Sequence, residues 1–283
     1  MRKVKIHHRT HYAFSAPVQL GPHQLRLRPR EGHELRIESS ALELTPQGTT
    51  RWHRDSHDNS VVTVNFAQPT SELIITSELV CQHYDSAPWD FVLAEDAVYF
   101  PFSYPPDEAD TLLPYKICNE PVEGGELNQW VAGYWVSGKP VQTYSLLLSL
   151  CSGIHQNMTY QKREEPGVQT AAQTLSLQSG SCRDFANLFM EAARMLGFAA
   201  RFVSGYLYNP PSATDYGATH AWAEVFLPGA GWKGFDPTIG NLTGNDHIAV
   251  AVAKRADAVP PVSGSFTGDA AATLEVAVQV TDI

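Results

Sequence analysis

The stretch Gly180-Ser181-Cys182-Arg183-Asp184-Phe185-Ala186 opens the part of the chain that decides its fold, and Thr219-His220-Ala221-Trp222-Ala223-Glu224-Val225-Phe226-Leu227 carries it on. After the first, Phe185, Leu188, Phe189, Ala192, Met195 and Leu196 recur at helical spacing, and Gly197 supplies a stop. Ser181 is a natural N-cap, which places Cys182 in the first turn. A thiol there meets the positive end of the helix macrodipole and free N–H groups, both of which favour thiolate. Residues 199–208 follow as a β-rich run, and 219–227 alternates with period two. Pro228-Gly229-Ala230-Gly231 reads as a turn, and Trp232 to Phe235 returns as a strand leading into Asp236-Pro237. A turn centred on 228 would set His220 opposite Asp236. The turn as written is centred nearer 229.5, about three residues out of step, on the order of 10 Å, so a bulge or a shifted turn is expected.

Each of these residues has a plainer reading. Free cysteines are mostly buried and inert, and Cys81 and Cys151 fit that description on their apolar stripes, while nothing distinguishes Cys118. His220 alone reads as a core or surface histidine, and Asp236 before Pro237 as a turn former. Together with Cys182 they supply a nucleophile, a base and an acceptor that fixes the base's tautomer.

The segments GSCRDFANLFMEAARMLGFAARFVSGYL and THAWAEVFLPGAGWKGFDPT resemble the transglutaminase-like superfamily of papain-like cysteine enzymes. THYAFSAPVQLGPHQLRLRPR is similar to the β-domain that precedes this core in bacterial members, and GNDHIAVAVAKRADAVPPVSGSFTG resembles their tail. The likeness is weakest from about 83 to 125. It implies Cys182 as nucleophile, His220 as general base and acid, and Asp236 as the residue orienting His220. It implies thiol-dependent acyl transfer or hydrolysis on peptide or glutamine-type amides through a thioester, with the Cys182 N–H as one oxyanion donor. The second donor stays open: Tyr160 and Trp222 are candidates, though aromatic packing accounts for each. Asp184 is read as structural support at the first turn. Arg183 and Asn187 stand where the family often carries Gln and His, a departure that bears on substrate preference.

Outward from this core, the chain before about residue 82 reads as β. Leu25 and Leu27 alternate with basic residues, and Val62, Val64, Phe66 and then Leu73, Ile75, Leu79, Cys81 follow, with Asn59 as a left-handed turn residue. The expected fold is α+β, a β-sandwich-like domain over 1–82, a connecting region over 83–125, and a papain-like core over 126–283 ending in a strand extension. Within that core, helices are expected over 126–135 and from Pro140 onward, the second with Val141, Tyr144, Leu147, Leu148, Cys151, Ile154 and Met158 as its stripe. Residues 161–174 read as a polar loop.

Composition narrows the function. The 283 residues are 43% hydrophobic, 10% aromatic and 18% charged, the balance of a globular protein. Lys plus Arg number 20 against 30 for Asp plus Glu, a formal charge of −10, which disfavours nucleic acid as a partner. No stretch approaches the roughly 20 apolar residues of a membrane span. The basic N-terminus lacks the apolar core of a secretory signal, and four scattered cysteines form no disulfide framework, so a cytoplasmic, thiol-reduced setting is expected. His7, His8 and His11, and separately His53, Asp55, His57 and Asp58, lack the further ligands of a metal site, so neither metal nor cofactor is expected. His247 is read as structural. The expected partner is a protein or peptide substrate, and the sequence leaves the oligomeric state open. The competing reading is a non-catalytic binding module that retains the fold.

Overall fold

Strict alternation makes β1 (Arg2–Leu20) the longest strand: Val4, Ile6, His8 and Thr10 are buried, with Lys3, Lys5, His7 and Arg9 between them. The computed structural model describes residues 1–84, 89–121, 124–163, 165, 167–208 and 219–283. Parts of the expected connecting region (85–88 and 122–123), residues 164 and 166 of the polar loop, and 209–218 lie outside the described residues.

After β1 come β2 (His23–Leu25), β3 (Leu35–Thr45), β4 (Thr49–Arg54), β5 (Ser60–Asn65) and β6 (Thr70–His83). β1 pairs antiparallel with β6, and β6 with β3, while β2, β5 and β4 form a second sheet. Phe14, Leu25, Val62, Val64, Leu73 and Ile75 fill the space between the two sheets. The turn between β4 and β5 uses Asp58 as its left-handed residue, with φ of 60°. Asn59, expected in that role, is instead fully buried. Its side chain donates to the Val252 carbonyl at 2.8 Å and accepts the Val252 N–H at 2.8 Å. The amide thus mimics a strand along an outer edge of the second domain.

The connecting region contributes β7 (Tyr99–Phe100) and α1 (Pro106–Leu112). α2 (Glu126–Ala132) and β8 (Val141–Gln142) follow. The expected second helix begins later than Pro140, as α3 (Thr143–Asn157), because Val141 and Gln142 pair with Phe100 and Tyr99. Its buried stripe also shifts: Leu146 and Leu150 join Leu147, Cys151 and Ile154, and Leu148 and Tyr144 lie partly open. β9 (Thr159–Tyr160), α4 (Ala171–Leu177) and β10 (Ser179–Gly180) come next. The polar loop therefore stops at Thr170, where a capping box starts α4: Thr170 Oγ1 accepts the Gln173 N–H, and Gln173 Oε1 accepts the Thr170 N–H.

α5 (Cys182–Met195) is buried along almost its whole length, from Asp184 to Arg194, between the other helices and a five-stranded antiparallel sheet. That sheet comprises β11 (Ala200–Leu207), β12 (His220–Leu227), β13 (Gly231–Asp236), β14 (Asn241–Leu242) and β15 (His247–Ala253), in the spatial order β14-β13-β12-β11-β15. Phe189 of α5 stacks on Phe235 of β13 with ring centroids 5.2 Å apart, and each such buried ring stabilises the fold by roughly 1.5–3 kcal/mol. Gly197, at φ of 95°, ends the helix as its sequence position predicts.

The last segment corrects one expectation. β16 (Val262–Ser263), β17 (Phe266–Thr267) and β18 (Ala272–Asp282) leave the core and return to the first domain. β18 lies antiparallel to β1 from Val4↔Asp282 to Phe14↔Ala272. Its buried Val278 and Val280, with Val4, Ile6 and Leu79, face the same hydrophobic cluster as α5. One face of the β1 sheet therefore serves two cores, the sandwich at one end and the helical core at the other. Among the described residues, no helix is long and apolar enough to cross a membrane.

Candidate active site

Two short parallel strands deliver the chain to Cys182. Gly180 pairs with Tyr160 and Ser179 with Thr159. A Cβ on Gly180 would stand 2.8 Å from the Asp184 Cβ, so only glycine fits here. Ser181 then caps α5, and Asp184 closes the first turn from inside: its Oδ2 accepts the Ser181 N–H at 2.8 Å and the Ser181 hydroxyl at 2.7 Å. Oδ1 accepts Arg163 Nη1 at 2.7 Å and the Gln169 N–H at 2.8 Å. Asp184 is fully buried. Burial alone would push its carboxyl up, but the N–H groups of Gln169 and Ser181 and the Arg163 guanidinium hold it below the usual range. Asp184 thus ties Arg163 and Gln169 to the start of the helix that carries Cys182.

His220 opens β12 opposite Gly205 of β11. The hairpin to β13 pairs Leu227 with Gly231, Val225 with Lys233 and Ala223 with Phe235, without interruption. The expected bulge is therefore not needed. Continuing that register puts Asp236 across from Trp222, two residues from His220. An even offset leaves both side chains on one face of the sheet, and diagonal neighbours come within reach of a long side chain. His220 Nε2 and Asp236 Oδ2 lie 2.7 Å apart. The other ring nitrogen, Nδ1, is left for Cys182, which lies near enough to help raise the His220 pKa. The three sequence-picked residues are thus brought together, with the imidazole in the middle.

The electrostatics follow from that order. Burial by itself would lower the His220 pKa, but the Asp236 carboxylate and then Cys182 outweigh it and raise it from 6.5 to about 10. Asp236 has no exposed surface. Burial would raise its pKa, yet His220 and His247 hold it well below the usual carboxylate range. Burial pushes the Cys81 and Cys118 thiols up to about 12 and Cys151 well above its ordinary value.

His247 is the member of the site that sequence reasoning left outside it. It opens β15, and its Nε2 lies 3.0 Å from the same Asp236 Oδ2. Its Nδ1 accepts the Gly244 N–H at 3.2 Å. No spacing in the sequence links His247 to Asp236, because the contact crosses the sheet. The only available hint was a histidine at the start of a strand just after a turn.

Of the supporting candidates, Trp222 is 2% exposed. Its ring lies against both imidazoles, with centroids 6.2 Å from His220 and 5.2 Å from His247. Gly205 makes room for it, since a Cβ there would meet Trp222 Cη2 at 2.6 Å and the Ile248 carbonyl at 2.3 Å. Packing under the imidazoles is the role this placement describes. Tyr160 is 47% exposed beside Gly180, its ring edge-on to Phe185 at 6.3 Å.

Among the described residues, the ligand atoms of one cluster converge as those of a metal site would: His220, Asp236 and His247, all within 4.8 Å of one another. The hydrogen bonding does not fit a cation. With Nδ1 accepting from Gly244, His247 carries its proton on Nε2 and has no lone pair there to offer. His8 contacts the Tyr206 hydroxyl at 3.1 Å and Thr10 Oγ1 at 2.8 Å, and Asp55 Oδ1 accepts the N–H groups of His57 and Asn59.

Residues 4–82 match the bacterial transglutaminase-like N-terminal region, and residues 132–237 match the transglutaminase-like superfamily core. Uncharacterized proteins of Mycobacterium tuberculosis and Mycobacterium bovis are 27% identical over 300 residues, covering 98% of this chain and 92% of theirs. One from Mycobacterium leprae is 23% identical over 99% of both chains. The crystal structure of a candidate cysteine protease from Cytophaga hutchinsonii superposes with a TM-score of 0.75 at 20% identity, over 100% of this chain and 91% of the other. That likeness is one of fold.

Proposed function

Because the chain joins a bacterial transglutaminase-like N-terminal region to a core of the transglutaminase-like superfamily, we propose that it is a thiol enzyme acting on peptide or glutamine-type amides through Cys182, His220 and Asp236. The observation that carries this reading is the position of the His220 ring, bonded to Asp236 through Nε2 and near enough to Cys182 for the sulfur to raise its pKa. A scaffold that only binds has no use for that arrangement.

In this reading the imidazolium of His220 and the sulfur of Cys182 form an ion pair, and the thiolate attacks the amide carbonyl carbon. Negative charge develops on the carbonyl oxygen, where the Cys182 N–H at the start of α5 is aimed. His220 then gives its Nδ1 proton to the departing nitrogen, and ammonia or an amine leaves a thioester behind. A water or a second amine attacks the thioester carbonyl, His220 takes up its proton, and the C–S bond breaks to free the acid or new amide and restore the Cys182 thiolate beside the imidazolium. Asp236 keeps the imidazole turned and supports its positive charge throughout. Both outcomes share the first half-reaction. Water is the more abundant acceptor unless the site excludes it, which favours peptidase or deamidase activity over cross-linking.

The test is alkylation by iodoacetamide near pH 6, with the modified cysteine located by peptide mapping. Cys182 is expected to react far faster than Cys81, Cys118 and Cys151, and equal rates would remove the thiol-enzyme reading in favour of a binding module. Incubation with a glutamine peptide and a primary amine then separates the two outcomes. An amine-conjugated product indicates transfer, and conversion of the carboxamide to a carboxylate indicates hydrolysis.

A further inference from the structure

We propose that His247 is a positioning residue for the Asp236–His220 couple, a neutral hydrogen-bond donor that shares the Asp236 carboxylate with His220, so that four side chains rather than three make up the machinery. This rests on the thiol-enzyme reading above.

The argument is one of donors and acceptors. The Gly244 N–H donates to His247 Nδ1 at 3.2 Å, so that nitrogen holds a lone pair and the proton sits on Nε2. Nε2–H donates in turn to Asp236 Oδ2 at 3.0 Å, the oxygen that also receives His220 Nε2 at 2.7 Å. Oδ1 is taken by the Thr238 N–H at 2.8 Å. Three donors from three parts of the chain therefore fix the carboxylate in one orientation. The His247 side chain is 5% exposed, and the Trp222 ring stands edge-on to it, which limits its freedom to turn away.

The consequence for catalysis is a matter of degree. A carboxylate shared with a neutral donor presents less charge to His220 than an unshared one. The imidazolium is held, but not so tightly that it fails to release its proton to the departing nitrogen. A second proton on His247 would have to sit on Nδ1, where the Gly244 N–H already points. Among the described residues, the other titratable groups that act on the couple are Cys182 of α5 and Cys151 of α3, and burial keeps the Cys151 thiol protonated.

The experiment measures the alkylation rate of Cys182 against pH in the full-length wild type, His247→Phe and His247→Gln. The upper break in the profile marks the loss of the imidazolium proton. In His247→Phe that break is expected to rise by about one pH unit, since the carboxylate no longer shares its charge. In His247→Gln, whose amide keeps a donor near the Nε2 position, it is expected to stay within a few tenths of a unit of wild type. A purely structural role would move both breaks together or neither, and either result overturns the proposal while a fast wild-type Cys182 keeps the thiol reading alive. If His247→Phe fails to fold, or if wild-type Cys182 is unreactive, imidazole ¹⁵N NMR of the wild type decides the matter by itself. A His247 that stays in the Nε2–H form supports the proposal, and an Nδ1–H or titrating His247 overturns it.

Discussion

Replacing Asp236 by Asn removes the charge on which His220 depends while leaving the shape of the site nearly unchanged. The rise of His220 from 6.5 to about 10 is a net gain over burial, which by itself acts to lower it. Across that interval the gain is about 5 kcal/mol, taking 1.36 kcal/mol per pH unit. Asp236 is the first of its sources and Cys182 the second. With the carboxylate gone, burial is opposed only by Cys182, and the imidazole is expected to be neutral at pH 6. The sulfur then has no cation beside it. An ordinary thiol near 8.5 is only a few thousandths ionised at pH 6, so the alkylation rate at Cys182 is expected to fall on the order of 100-fold. The two proteins should converge as pH rises towards 9, where solvent base ionises the thiol in both. The assay is iodoacetamide labelling followed by peptide mapping, with a melting curve as the control for folding. A folded Asp236→Asn protein that labels at Cys182 within threefold of wild type at pH 6 would refute the ion-pair argument.

Other expectations concern the frame around the site. Gly180→Ala brings a Cβ to 2.8 Å from the Asp184 Cβ, so a loss of about 1–3 kcal/mol and slower Cys182 labelling are expected, read by melting and mass spectrometry. Asp184→Asn leaves the Arg163 guanidinium without its nearer anion, with only the exposed Glu165 beside it, and weakens the bonds from Ser181 and Gln169, which should cost about 3 kcal/mol in chemical denaturation. Buried His8, held neutral between Tyr206 and Thr10, has its pKa lowered by burial from 6.5 to about 4. The unfolded chain binds that proton first, so stability is full above pH 6.5 and falls by about 3 kcal/mol as pH drops to 4. In His8→Gln that part of the acid sensitivity should vanish, and urea midpoints at pH 5 and 7 that differ equally in both proteins would count against it.

The helix that starts at Cys182 is legible because every signal for it is local. The cap at Ser181, the apolar stripe from Phe185 and the stop at Gly197 act over a few residues each, and the structure places the helix at Cys182–Met195. The expected polar loop ends early for an equally local reason, since Thr170 and Gln173 form the capping pair that starts α4. Asn59 was read as a turn former because Asn suits turns, whereas its amide is satisfied by Val252, far away in sequence. The hairpin register was misjudged by one residue, and one residue changes which face of a strand a side chain occupies.

The chain by itself determined the α+β class and the start and stop of the Cys182 helix, because periodicity and caps are properties of neighbouring residues. Only the tertiary structure decided that the final strand closes the first sheet and that His247 shares the carboxylate of Asp236. Strand partners and cross-sheet hydrogen bonds depend on which surfaces are buried together, and burial is a property of the whole fold.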